Sequence, residues 1–177
     1  MKCRFLMMVS MLCYALTAQA TMQFPELITI DNIRYHMYTY PLDGIIDANE
    51  KTIAPYLDIG NCSALWRGYR RQWKILNSCL YLVHVDKQVC RKAPYEPVPL
   101  SILFPDHKER PIWANWFSGV LQIPLGKALF NYPHPIPQRY LQFFIRNGIV
   151  VSQHEIDNPQ YQAIEKILNE RKKTEHQ

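Results

Sequence analysis

The sequence is short of glycine, of charged residues and of long apolar segments. Six glycines and 13 prolines follow no period, which excludes a collagen-like or low-complexity chain. Only 20% of the 177 residues are charged and 48% are apolar, a composition that excludes intrinsic disorder. Beyond residue 20, proline or charge interrupts every apolar segment before it reaches the roughly 20 residues of a membrane-spanning helix. With these classes excluded, we expect the 177 residues to fold as a single domain, since one domain usually takes about 100–200 residues.

The first 20 residues have the features of a secretory signal peptide. A positively charged start is followed by an apolar stretch over 5–16 and by an A-x-A cleavage signal at 18–20. An uncleaved anchor is the alternative, but the apolar stretch is too short to span a bilayer. We therefore predict cleavage after Ala20, no transmembrane span in the mature chain, and a periplasmic or secreted location.

Little net charge remains on the predicted mature chain. Cleavage removes two basic residues and leaves 18 basic and 15 acidic ones, a net charge of +3. This balance is too close to neutrality to indicate a nucleic-acid partner. We therefore expect that the protein binds no nucleic acid.

The mature chain is dominated by strand-forming segments separated by turns. Asp31-Asn32 and Asn147-Gly148 each lie between two such segments and suit the two-residue turns of β-hairpins. An aromatic hairpin is predicted from 64–75 and 79–85, with a three-residue connection. A further strand pair is predicted at 112–116 and 120–123, and long loops at 40–60 and 92–111.

Only the end of the chain has helical periodicity. Asn158 suits an N-cap and Pro159 the first helical position, and Tyr161, Ile164, Ile167 and Leu168 form one apolar stripe. We predict a helix over about 158–171 that covers one face of the aromatic hairpin. The expected fold is mainly β, an antiparallel sandwich or partly closed barrel with one C-terminal helix, in a single domain over 21–177.

Three cysteines remain after export, and an oxidising compartment favours one disulfide among them. The predicted hairpin places Cys62 and Cys90 near each other at its open end and Cys79 at its turn. We therefore predict a Cys62–Cys90 disulfide and a free Cys79 thiol. A zinc site is the alternative, but the chain has no C-x-x-C pair, and we expect no metal.

Two segments form a specific signature. Trp66-Arg67-Gly68-Tyr69 precedes an LYL strand at 80–82, and Asn115-Trp116-Phe117-Ser118-Gly119 lies further along the chain. Over about residues 28–150 the sequence resembles a group of small exported bacterial proteins with a W-R-G-Y hairpin and a D-W-F-[ST]-G segment. Asn115 stands where Asp is more usual in that group, and the Pro-rich run at 135–137 replaces Gly-rich residues. The resemblance implies export but brings no assigned activity.

Aromatic and arginine side chains are concentrated on the predicted hairpin. Strand alternation places Arg67, Tyr69, Arg71 and Trp73 on one face and Trp66 on the other. One interpretation is that one face is core and the helix covers the other. The other interpretation is a binding surface, because Trp, Tyr and Arg are enriched in interface hot spots. The candidate binding residues are Trp66, Arg67, Tyr69, Arg71, Trp73, Trp116, Tyr132 and His134.

No catalytic signature supports an enzyme. The chain lacks a G-x-S-x-G elbow, an H-E-x-x-H helix, a P-loop and a G-x-G-x-x-G turn, so we predict no catalytic residue and no cofactor. The sequence favours an exported, non-enzymatic protein that binds another protein, such as a periplasmic immunity protein facing a toxin or an inhibitor of an envelope enzyme. The alternatives are an envelope hydrolase that uses His134 and a carbohydrate- or peptidoglycan-binding β module. The oligomeric state is not indicated.

Overall fold

A computed structural model describes residues 23–60, 62–87, 95–107, 110–130 and 135–175. The predicted signal segment, Cys90, Tyr132 and His134 lie outside these residues. The cleavage site and the Cys62–Cys90 disulfide therefore stay predictions, whereas Cys79 is a free, half-buried thiol. No helix in the described ranges has the length and apolar character needed to cross a bilayer.

The described part of the chain folds into one mixed nine-stranded sheet that curls without closing into a barrel. Its strands are β1 (Glu26–Ile30), β2 (Ile33–Met37), β3 (Tyr69–Leu76), β4 (Cys79–Lys87), β5 (Glu96–Pro97), β6 (Ile112–Trp113), β7 (Gly119–Leu129), β8 (Ile136–Arg146) and β9 (Ile149–Asp157). The order is β2-β1-β3-β4-β9-β8-β7, and β5 and β6 also pair with β4. The mainly β class with a C-terminal helix is confirmed. One parallel pair, β1 with β3, makes the sheet mixed rather than wholly antiparallel.

Two hairpins turn where the sequence predicts. Asp31 and Asn32 have φ angles of 49° and 63°, and Asn147 and Gly148 have φ angles of 48° and 74°. Left-handed residues at both central positions define the turn whose twist matches that of paired strands. The strands of the second hairpin, β8 and β9, extend well beyond the segments 140–145 and 149–152 that the residue pattern predicts as strands.

The aromatic hairpin forms with a different register from the predicted one. Leu76 pairs with Cys79, so the turn consists of Asn77 and Ser78, both with positive φ. The predicted three-residue connection is wrong because this two-residue turn satisfies the strand twist with one residue fewer. The strand also begins only at Tyr69, after a 3-10 turn over Ser63–Leu65.

The strand pair predicted at 112–116 and 120–123 does not form. Ile112 and Trp113 instead pair with Leu82 and Tyr81 of β4. The residues between β6 and β7 bind the β8–β9 turn, as described below, and this contact separates the two segments. β4 meets β9 through a single residue pair, Cys79 with Ile149.

The curled sheet encloses one hydrophobic core. Trp73 of β3, Leu82 of β4 and Phe143 of β8 are among its buried side chains. The two predicted loops also enter the core, since Leu42–Leu57 and Val98–Phe104 both contribute buried side chains. The first loop contains two short helices, α1 (Asp43–Ala48) and α2 (Glu50–Ile53), and 3-10 turns occur at Ala54–Tyr56 and Leu100–Ile102.

The C-terminal helix α3 (Pro159–Glu175) begins where predicted but packs elsewhere. Asn158 caps it, accepting a hydrogen bond from the Gln160 amide at 3.1 Å and donating one to the Pro137 carbonyl at 2.8 Å. The helix lies against β7 and β8, Tyr161 is buried, and Ile167 is exposed. The prediction that the helix covers one face of the aromatic hairpin is therefore wrong, because the bond from Asn158 to Pro137 fastens the start of the helix beside β8 instead.

We expect that removal of residues 162–177 leaves the fold intact. The hairpin aromatic residues are covered by the sheet's own core, so tryptophan emission should not shift and no hydrophobic dye should bind. The melting temperature should fall by only about 2–4 °C, the change that about 1 kcal/mol produces in a domain of this size. Thermal melting with tryptophan fluorescence measures both quantities, and a red-shifted emission would contradict this packing.

Candidate binding surface around Trp66

Three candidate residues of the aromatic hairpin point into the sheet interior. Tyr69, Arg71 and Trp73 are 4%, 1% and 1% exposed. They share one face, as the strand alternation predicts, but that face is the core. As candidate binding residues they are therefore corrected to core residues, since their burial leaves no surface for a partner to contact.

Arg71 is the centre of a buried ionic cluster. Its guanidinium pairs with Glu26 through Nε and donates from Nη2 to Asp43 Oδ1 at 2.7 Å. Glu26 is itself buried and accepts a hydrogen bond from Trp73 Nε1. The Arg71 guanidinium also lies 4.7 Å from the centroid of the Tyr69 ring. One buried cation is thus matched by two carboxylates, as a poorly solvating interior requires.

Arg67 extends this cluster to the surface. Its Nε lies 3.5 Å from Asp43 Oδ2, and its guanidinium lies 3.5 Å from the centroid of the Tyr40 ring. The arrangement combines an ion pair with a cation–π contact. The arginine of the W-R-G-Y signature is therefore fixed in position, with part of its side chain still exposed.

Burial dominates the protonation of this cluster. It raises the pKa of Glu26 to about 7, although the charge of Arg71 and the hydrogen bond from Trp73 both lower it. Burial likewise raises the pKa of Tyr69 to about 12. The Glu26 carboxyl therefore titrates near neutral pH, while the Tyr69 phenol stays protonated.

Gly68 lets the signature loop pack tightly against residues 58–60. Its φ is +73°, and an added Cβ would lie 2.3 Å from the backbone carbon of Asp58. The Asp58 amide donates to the Gly68 carbonyl at 3.2 Å, and the Gly60 amide donates to the Trp66 carbonyl at 3.0 Å. The backbone on both sides of Arg67 is thus held by a neighbouring segment.

Trp66 is the exposed member of the signature. Its side chain is 63% exposed, and Phe24 and Ile59 are 41% and 44% exposed. Two hydrogen bonds join the segments of Phe24 and Trp66: the Phe24 amide donates to the Ala64 carbonyl at 2.7 Å, and the Trp66 amide donates to Gln23 Oε1 at 2.9 Å. The bond from the Gly60 amide to the Trp66 carbonyl joins the segment of Ile59 to them. We call Phe24, Ile59 and Trp66, with Arg67 beside them, the Trp66 patch.

Trp116, the next candidate, is an internal anchor. Its Nε1 donates to the Pro41 carbonyl at 3.0 Å, and its ring stacks on Phe104 with centroids 4.8 Å apart. These contacts fasten the start of the 41–57 segment to the core. Trp116 is half-buried and lies in a structural contact, while Tyr132 and His134 fall outside the described residues.

The rest of the second signature segment binds the β8–β9 turn. Ser118 Oγ accepts a hydrogen bond from the Asn147 amide at 2.9 Å, and the Phe117 carbonyl accepts one from the Gly148 amide at 2.8 Å. Gly148 packs so closely that an added Cβ would lie 2.6 Å from Trp113 Nε1. The physical role of this segment is therefore to hold a turn.

The sequence alone does not reveal the partners of the two arginines. An arginine at a core-facing position, such as Arg71, requires a counter-charge, which is a signal, but Glu26 is distant in the chain and Asp43 lies in a predicted loop. Phe24 and Ile59 also carry no pattern that would associate them with Trp66. Among the described side chains, no three His, Cys, Asp or Glu residues come together as metal ligands.

Comparisons with protein-family models, curated proteins and solved structures give no match to this chain. The signature resemblance therefore stays an expectation from the sequence. The function has to be inferred from the geometry of the chain itself.

Replacing Gly68 by alanine should destabilise the protein. The methyl group would meet the Asp58 backbone at a φ that alanine rarely adopts, so we expect a loss of about 1–3 kcal/mol or more. Gly44→Ala in α1 is the matched control, because nothing lies within 4 Å of its added Cβ. There alanine should raise stability by up to about 1 kcal/mol. Urea unfolding measures both changes, and equal stabilities of the two variants would contradict the proposed packing.

The stability of the protein should depend on pH through Glu26. The folded-state pKa of about 7 exceeds the ordinary value of 4.5, so the stabilisation is fully present below pH 4.5. It is lost as the pH rises from 4.5 through 7, because the carboxyl of the unfolded chain ionises in this window while the buried carboxyl of the folded chain stays protonated. The unfolding free energy of the wild type should therefore fall relative to that of Glu26→Gln between pH 5 and pH 8. Urea titrations at each pH test this, and a difference independent of pH would contradict it.

Proposed function

We propose that this chain is an exported, non-enzymatic protein that binds another protein through the Trp66 patch. A periplasmic immunity protein that faces a toxin, or an inhibitor of an envelope enzyme, fits this description. The single observation that carries the proposal is the 63% exposure of Trp66 on an otherwise fixed loop. The neighbouring aromatic side chains of the hairpin, Tyr69 and Trp73, are buried.

The Trp66 patch has the composition of an interface hot spot. Binding hot spots are enriched in Trp, Tyr and Arg that enter pockets on the partner. Here an exposed tryptophan lies next to Arg67 in the chain, and hydrogen bonds bring the backbone of Phe24 and of Gly60, which follows the exposed Ile59, to the same loop. Arg67 already pairs with Asp43, which it shares with Arg71, so we expect a partner surface with an apolar pocket for Trp66 rather than a strongly charged one.

The loop that carries Trp66 is organised before any partner arrives. Hydrogen bonds hold the Trp66 amide and carbonyl, and the Asp43 carboxylate and Tyr40 ring hold Arg67. Binding to such a loop costs little conformational entropy, so more of the contact energy appears as affinity. This property suits an inhibitor or an immunity protein, which must engage its target tightly.

Trp66→Ala should abolish partner capture without unfolding the chain. The mature wild type, Trp66→Ala and Phe130→Ala are immobilised and exposed to envelope proteins, and the retained proteins are quantified by mass spectrometry. Phe130 is the matched control, an exposed aromatic residue at the end of β7. We expect to find a partner protein that the wild type and Phe130→Ala retain in equal amounts. Trp66→Ala should retain at least about tenfold less of it, since a hot-spot residue contributes about 2 kcal/mol or more to binding.

Two measurements make this test decisive. Thermal melting establishes that each variant is folded, because Trp66 is largely exposed and its loss should leave the melting temperature nearly unchanged. Titration calorimetry with the purified retained protein gives its Kd for each variant. Identical sets of proteins on the wild type and Trp66→Ala would overturn the proposal and favour the hydrolase or the carbohydrate-binding alternative.

A further inference from the structure

The two edge strands of the curled sheet, β2 and β7, approach each other without pairing. Thr39, two residues beyond β2, joins them with its hydroxyl. Its Oγ1 donates to the Val120 carbonyl at 3.2 Å and accepts from the Gln122 amide at 3.1 Å. The Thr39 side chain thus bonds to the edge of β7, where backbone hydrogen bonds from a paired strand would close the sheet.

A groove of about 390 Å³ lies between these edges. This volume falls in the range of roughly 300–1,000 Å³ that is typical of small-molecule sites. Residues from the β2 edge form one side of the groove, and residues of β7 and β8 form the other. We call it the seam groove; its lining includes His36, Tyr38, Gln122, Pro124, Ala128 and Tyr140.

The described lining of the seam groove has no side chain with a permanent charge. None of these residues is Asp, Glu, Lys or Arg. Partial burial and the charge of Arg70 lower the pKa of His36, which favours the neutral imidazole. Burial raises the pKa of both Tyr38 and Tyr140, so the two phenols are protonated at neutral pH. A phosphate or carboxylate ligand would find no cation among these residues to pair with.

The lining is nevertheless rich in hydrogen-bonding groups. The hydroxyls of Tyr38 and Tyr140, the His36 imidazole and the Gln122 amide can each donate and accept. Two tyrosine rings and three prolines provide apolar walls beside these groups. The apolar walls suit a ligand with apolar ring faces, and the polar groups suit a ligand with many uncharged hydroxyl groups.

The β7 edge has few free backbone hydrogen-bonding groups with which an extended peptide could pair. Strand addition needs a row of free backbone donors and acceptors. Thr39 already engages the Val120 carbonyl and the Gln122 amide, and Pro124, two residues further on, has no N–H. Recognition in the groove must therefore come from side chains.

We infer that the seam groove is a binding site for a neutral saccharide, with Tyr38, Tyr140, His36 and Gln122 as its recognition residues. This site is separate from the Trp66 patch and does not depend on the protein-binding proposal. It assigns a carbohydrate ligand to the sheet edges rather than to the exposed tryptophan.

Calorimetric titration of the mature chain tests this inference. The probes are maltose, cellobiose and N,N′-diacetylchitobiose, with digalacturonate as an anionic comparison and a proline-rich peptide as an extended one. We expect at least one neutral disaccharide to bind and both comparison ligands to fail. Tyr140→Ala should weaken the binding of that disaccharide about tenfold or more, a loss of at least about 1.4 kcal/mol of binding free energy.

Further variants distinguish binding in the seam groove from binding elsewhere on the chain. Ala128→Trp fills the groove from an exposed position and should abolish binding even if Tyr140→Ala fails to fold. Trp66→Ala and Tyr95→Ala alter exposed aromatic residues outside the groove and should bind as the wild type does. The inference is overturned if no neutral disaccharide binds, if Ala128→Trp still binds it, or if the peptide or digalacturonate binds instead.

Discussion

The pairing of Arg71 with Glu26 and Asp43 is the constraint on which the rest of the structure depends. A buried guanidinium without any carboxylate beside it would carry an uncompensated charge, which is strongly destabilising, and Asp43 stays beside Arg71 when Glu26 takes up a proton. The three residues belong to β3, β1 and α1, so satisfying one cation fixes three elements relative to one another. The parallel pairing of β1 with β3 places Glu26 beside the inward face of β3. The first loop must then fold inward so that Asp43 reaches the same guanidinium.

The same cluster connects the interior to the surface. Asp43 serves both Arg71 inside and Arg67 outside, so a single carboxylate links the core to the signature loop. Gly68 allows that loop to lie directly on the backbone of 58–60. The W-R-G-Y signature therefore combines an exposed aromatic residue, a fixed cation, a tight backbone contact and a core residue. An exposed tryptophan supported in this way is the physical basis of the protein-binding proposal.

Local chemistry accounts for the parts of the fold that the sequence predicts correctly. Asn147-Gly148, Asp31-Asn32 and the Asn158-Pro159 cap each determine their structure through a few adjacent residues, and each appears in the structure. The register of the aromatic hairpin is missed because Asn77-Ser78 is a weaker turn signal than Asn-Gly. The contacts of Phe117 and Ser118 with the β8–β9 turn are missed because they join residues about 30 positions apart. The candidate site follows the same rule: Trp66 and Arg67 come from the signature, whereas Phe24, Ile59 and Asp43 come only from tertiary contacts.

Two junctions between neighbouring strands of the curled sheet have few hydrogen bonds. At one, the ladder of β4 and β9 has a single residue pair; at the other, among the described residues, Thr39 just beyond β2 supplies the hydrogen bonds to β7. Local opening costs less free energy where fewer hydrogen bonds and buried contacts must be broken. The sheet therefore consists of two groups of strands with continuous ladders, β2-β1-β3-β4 and β9-β8-β7, and we expect local opening to be easiest at the junctions between them. Because the seam groove lies at one of these junctions, opening there would change the width of the groove, whereas the ionic cluster is held among β1, β3 and α1.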